Sequence, residues 1–116
     1  MIGEWLRAFL LTQVIEMGVY VHATPSSRRL RERVAIAFAA SAMTHPIVWF
    51  VIPPLLTSRQ VGMDWWEMVA CAELFAWLAE ALWLWAMGAR YAIGWALIAN
   101  GASFLSGLFL YMRGGW

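Results

Sequence analysis

Four long apolar runs divide the chain: residues 5–22 (WLRAFLLTQVIEMGVYVH), 34–52 (VAIAFAASAMTHPIVWFVI), 65–87 (WWEMVACAELFAWLAEALWLWAM) and 91–112 (YAIGWALIANGASFLSGLFLYM). Each run is continuous rather than alternating, and each is too long for a strand of a membrane barrel. Each is close to the ~20 residues that a bilayer-spanning α-helix needs. The pattern predicts an all-α integral membrane protein: a single four-helix transmembrane domain over residues 1–116, with four spans forming two antiparallel hairpins.

The interruptions read as helix punctuation. Thr24-Pro25-Ser26-Ser27 breaks the chain after the first run, and Ser26 or Ser27 is expected to cap the second helix. Pro53-Pro54 is expected to end that helix. Asp64 followed by Glu67 has the spacing of an N-cap and its capping-box partner, opening the third helix. Gly88 lies in a very short connection, which predicts a tight turn between helices three and four.

Composition supports the membrane reading. Hydrophobic residues make up 63% of the chain and charged ones 13%, against about 45–50% and about 25% in soluble domains. The net charge of +1 selects no partner, and the one dense basic cluster, Arg28, Arg29, Arg31 and Arg33, flanks apolar segments, so nothing points to nucleic acid. A single cysteine, Cys71, excludes an internal disulfide and a cysteine metal cage. The basic residues are all arginine, which with the many Ala and Trp hints at a GC-rich bacterial genome.

Orientation follows from charge. Arg28, Arg29, Arg31 and Arg33 fall in the first loop and Arg90 in the third, against Arg7, Arg59 and Arg113 on the other side. The positive-inside rule places loops one and three in the cytoplasm, with both termini outside a cell inner membrane. Trp5, Trp65, Trp66 and Trp116 then fall near the outer interface, and Trp83, Trp85 and Trp95 near the inner one. A cleaved signal peptide is the rival for the first segment, since Val21-His22-Ala23 resembles a small-x-small site. Gln13 and Glu16 interrupt its apolar core, and it has no basic start beyond Arg7.

An internal echo is present. Residues 33–39 read RVAIAFA and residues 90–96 read RYAIGWA, both at the start of an outward-going helix. One reading is a duplicated hairpin with an axis along the membrane normal, and the other is chance in an Ala-rich sequence. Without gaps the register pairs Glu16 with Glu73; a shorter second turn pairs Glu16 with Glu80.

The candidate chemistry is the set of polar residues within the spans. An ionisable residue there costs at least about 2.5–3.5 kcal/mol on insertion scales, and so faces protein or water. Helical rise places Glu16, Glu80 and Asn100 in one layer, roughly 1–5 Å to the cytoplasmic side of mid-membrane. His45 and Glu73 fall roughly 2–5 Å to the outer side, where a His45–Glu73 contact is expected. Thr12, Gln13 and Glu16 share a helix face, as do Ser41, Thr44 and His45, and Ala96, Asn100, Ser103 and Gly107. Pro46 is expected to kink helix two beside His45, freeing the carbonyl of Ala42. Each has a structural counterpart: a kink is common in membrane helices, a lone His serves as a hydrogen-bonding strut, and a neutral Glu–Glu or Glu–Asn contact holds helices together at ~1 kcal/mol.

No motif for metal, cofactor or a Ser–His–Asp set is present, and the only Asp, Asp64, is interfacial. In size, span count and a glutamate in the first helix, Glu16, the chain is similar to small multidrug-resistance transporters. His45 and the Glu73/Glu80 pair depart from that pattern, so no residue role carries over. Three function classes follow: a transporter-like protein exchanging protons or cations at the Glu/His/Asn cluster; a structural or assembly subunit of a larger membrane complex or homo-oligomer; and an intramembrane enzyme using His45 and a glutamate as an acid–base pair.

Overall fold

A computed structural model describes residues 2–114; Trp116, expected at the outer interface, lies outside the described residues. All regular structure among them is helical: α1 (Ile2–Ala23), α2 (Leu30–Pro46), a π-helical turn over Ile47–Val51, α3 (Ile52–Leu56), α4 (Trp65–Ala86) and α5 (Ala92–Met112). Three helical stretches are long and apolar enough to cross a membrane: Leu30–Leu56, Trp65–Ala86 and Ala92–Met112. Helix α1 is 22 residues long but is not among them.

The second helix corrects two expectations. It does not stop at Pro53-Pro54: the two prolines lie in the first turn of α3, after Ile52, and the helical stretch continues to Leu56. Proline is tolerated in a first helical turn because its missing N–H has no partner there. The disturbance falls upstream, after Pro46, where Ile52 N–H reaches back to Ile47 O in the wide i→i−5 pattern. Neither Ser26 nor Ser27 caps α2: its N-cap is Arg29, with no side-chain cap bond. At α4 the capping box is formed, with Glu67 N–H donating to Asp64 Oδ1 at 2.9 Å and Asp64 N–H to Glu67 Oε1 at 3.2 Å.

Around the bundle the order of neighbours is α1, α2, α4, α5 and back to α1. Side-chain contacts show that α1 runs opposite to α2 and to α5, and α2 opposite to α4. Trp5 lies by His45 while Arg33 bonds Val21 O; Glu16 meets Ser103 while Tyr20 meets Asn100; and Trp83 bonds Ile36 O while Glu80 meets Thr44.

Small residues let the helices approach closely. Ala37, Ala40, Ala96 and Ala99 are fully buried, with Tyr20 and Leu84 the largest side chains among them. Leu10, Val14, Leu74, Leu78, Leu82, Ile93, Leu97 and Ile98 point outward. Small and polar inside, large and apolar outside, is the inverse of a water-soluble bundle; it suits packing in lipid, where apolar side chains gain nothing by leaving the surface.

One end of the bundle is tied by arginine. Arg33 donates to Val21 O and Thr24 Oγ1, closing the end of α1 onto α2. Arg28 donates twice to Met87 O, joining the α1–α2 turn to the α4–α5 turn. Gly88, in the latter turn, has φ +94°, a left-handed conformation suited to glycine, and packs beside Pro25.

Candidate functional site

Two carboxyl groups occupy the interior, Glu16 on α1 and Glu80 on α4, at 1% and 2% exposure. Glu16 accepts from Ser41 Oγ at 2.5 Å on one oxygen and from Ser103 Oγ at 2.6 Å on the other. Glu80 accepts on Oε1 from Tyr20 OH at 2.6 Å and Asn100 Nδ2 at 3.2 Å, and on Oε2 from Thr44 Oγ1 at 2.5 Å. Asn100 Nδ2 also lies 3.3 Å from Tyr20 OH and 2.9 Å from Ala96 O. The donors come from α1, α2 and α5, so all four long helices meet here. Among the described residues, no ion pair to either carboxyl group is formed; the Arg28–Glu32 pair joins the turn before α2 to its first residues, away from the site.

The hydroxyl partners differ in a way that matters for protons. Thr44 Oγ1 also faces Ala40 O at 3.3 Å and Ser41 O at 3.4 Å, and Ser103 Oγ faces Asn100 O at 3.2 Å. Each hydroxyl therefore has two uses. Toward a carboxylate it donates its proton. Toward a protonated carboxyl it accepts, and its own hydrogen turns to the backbone carbonyl. Either state of either glutamate is accommodated without stranding a buried polar group.

The contacts have an approximate twofold relation. Exchanging Glu16 with Glu80, Ser41 with Asn100 and Ser103 with Thr44 maps the Glu16 contacts onto Glu80 contacts. The same shift along α2 and α5 superposes the fully buried Ala37 on Ala96 and Ala40 on Ala99. This offset of 59 along α2 and α5 is not the 57 of the Arg33/Arg90 echo, and Glu16 and Glu80 stand 64 apart. Tyr20 breaks the relation, because its counterpart is Leu84, which has no hydroxyl.

The other predicted site residues divide. Gln13 is buried, and its Nε2 donates to Phe38 O at 3.2 Å. Thr12 is half-buried and takes no part in these hydrogen bonds. His45 is 8% exposed, with ring centroids of Phe9, Trp5 and Trp49 at 5.4, 6.1 and 6.1 Å. Pro46 stands immediately before the π-helical turn.

Glu73 is not brought to His45. It is half-buried in a groove between α4 and α5 with Trp66, Trp77 and Asn100, and no hydrogen bond or ion pair joins it to His45. The reason is rotational. The buried residues of α4 are Met68, Ala72, Ala76, Glu80, Ala81 and Leu84, and Glu73, turned about 100° from its neighbour Ala72, is not among them. No hydrogen bond joins His45 to Glu16 or Glu80 either.

Tyr20 and Ser41 complete the site. Tyr20 follows Glu16 by four residues, hence on the same face; that spacing was its signal. Ser41 shares a stripe with Thr44 and His45. Among the tryptophans, Trp65, Trp66 and Trp85 are exposed at helix ends, whereas Trp83 is half-buried and donates to Ile36 O at 3.0 Å.

Compared with known proteins, the chain matches no family model, no curated protein and no solved structure.

Proposed function

We propose that this is a transporter-like membrane protein that binds and exchanges protons or cations at the Glu16–Glu80 pair. In this reading all four long helices cross a bacterial inner membrane as two antiparallel hairpins derived by duplication. The Arg28–Arg33 turn and Arg90 lie on the cytoplasmic side, with both termini outside. Helix α1 belongs with the other three because it is 22 residues long and buries its mid-helix polar residues Gln13 and Glu16, while Leu6, Leu10 and Val14 face outward.

The observation that carries the reading is two buried carboxyl groups that, among the described residues, have no basic partner and are held by hydroxyl and amide donors. Two such groups in a low-dielectric interior do not both stay charged without compensation; they share a proton or hold a cation. The site therefore has two states, protonated and ion-free or deprotonated and ion-bound, and exchange between them is the minimal cycle of a proton-coupled carrier. Thr44 and Ser103 rotate their hydroxyl hydrogens between carboxylate and carbonyl as the proton arrives and leaves. The π-helical turn after Pro46 gives α2 a place to flex, since such widened turns are weak points in a helix.

Reconstitution of the Glu16→Gln and Glu80→Gln variants in liposomes tests this. An amide replaces a protonated acid in a hydrogen bond but carries no exchangeable carboxyl proton. Each variant is expected to remain folded and to lose pH-dependent ion flux. Flux of wild-type size in the double Gln variant returns the pair to a purely structural role, as in a subunit of a larger membrane assembly.

A further inference from the structure

Among the described residues, three buried side-chain polar atoms have no hydrogen-bond partner: Trp5 Nε1, Gln13 Oε1 and His45 Nδ1. Leaving such an atom unpaired is costly, so three together call for an explanation. They are not scattered. All three belong to α1 and α2, which pack on each other. Gln13 is one turn from Glu16 toward the start of α1, and His45 is one turn beyond Ser41, the serine that holds Glu16. Trp5 and His45 have ring centroids 6.1 Å apart. All three thus lie on one side of the carboxyl layer.

The other side has the opposite character. There Arg33 satisfies Val21 O and Thr24, and Arg28 satisfies Met87 O across the two turns. One end of the bundle is closed by paired polar groups, and the other carries unpaired ones that lead toward a carboxyl.

The chemistry of the three atoms fits water. The Trp5 indole N–H only donates, Gln13 Oε1 only accepts, and a neutral imidazole accepts on its unprotonated nitrogen. A water that accepts from Trp5 and donates to His45 Nδ1, followed by one that donates to Gln13 Oε1, satisfies all three. Buried waters with two to four polar partners are ordinary constituents of proteins. We infer that Trp5, His45 and Gln13 hold a short water chain that delivers protons to Glu16 from the end of the bundle where α1 begins. A proton joining the outer water displaces one from the inner water onto a Glu16 carboxylate oxygen. The waters are left unchanged, and the carboxylate gains one proton.

This inference rests on the proton-exchanging reading of the Glu16–Glu80 pair, and one experiment separates the two. The full chain in lipid nanodiscs is transferred from H2O to D2O at a pH where the protonated carboxyl C=O band is visible in the infrared. The rate at which that band shifts is then followed. Wild type is expected to show an exchanging band that Glu16→Gln or Glu80→Gln diminishes. In His45→Phe and in Gln13→Leu the band should persist while its exchange slows by at least roughly tenfold, a modest barrier increase. Trp5→Phe is the smaller change if His45→Phe fails to fold. Exchange at the wild-type rate in Gln13→Leu and Trp5→Phe, with the band intact, overturns the water chain and leaves the carboxyl reading standing. A wild-type spectrum with no band sensitive to Glu16 or Glu80 overturns both.

Discussion

Glu16 and Glu80 are nearly equivalent by position and unequal by environment. Glu16 on α1 and Glu80 on α4 each take one donor from α2 and one from α5. Glu80 alone takes a third, from Tyr20. Its counterpart for Glu16 would be Leu84, which fills the same place with carbon. The difference teaches how a symmetric core acquires two distinct members. The two acids sit at one level, and one tyrosine–leucine difference gives them different surroundings. Glu80 ties α1, α2 and α5 to α4, whereas Glu16 ties only α2 and α5 to α1.

The comparison is broken most severely by removing both acids. Glu16→Gln with Glu80→Gln should abolish pH-dependent ion flux in liposomes while leaving helix content by circular dichroism unchanged. The next effect is on stability. Glu80→Ala should cost more than Glu16→Ala, by about 1 kcal/mol, because it frees the Tyr20 hydroxyl as well as its symmetric partners. Denaturant-induced unfolding in detergent micelles would measure the difference, and equal costs would mean that the third donor contributes nothing.

Tyr20→Phe sharpens the comparison by restoring the symmetry. It should cost about 0.5–1.5 kcal/mol, the usual net worth of a hydrogen bond, and should bring Glu16→Ala and Glu80→Ala closer in cost when each is made in that background. The smallest effect is expected where the cluster does not reach. Thr12→Val and Glu73→Gln should each change stability by no more than about 0.5 kcal/mol, as substitutions away from buried networks do. A cost well above that for Glu73→Gln would place a partner on the α4–α5 groove.

Much of this site was legible in the sequence because helices impose their own arithmetic. Of the glutamates well inside the apolar runs, Glu16 and Glu80 turn inward and Glu73 does not; helical rise puts the first two at one level with Asn100. The Asp64–Glu67 cap and the Gly88 turn are local chemistry, complete within a few residues. The His45–Glu73 pairing came from depth alone, and depth does not fix rotation. Residues 72 and 73 share a level, but only Ala72 is among the buried residues of α4.

Sequence by itself determined that this chain forms long helices, where most of them start, and which polar groups lie far from their ends. These properties depend on residues within one or two turns of each other. Only the tertiary structure decided which polar groups meet. Tyr20 donates to Glu80, 60 residues away, and Ser103 to Glu16, 87 residues away, because four helices must turn their costly polar faces to one another. It also decided what Pro46 and Pro53-Pro54 do. Without an N–H, a proline either ends a helix or makes its neighbours rearrange. Here Leu30–Leu56 is one helical stretch, with the missing bonds accommodated by a widened turn between the prolines.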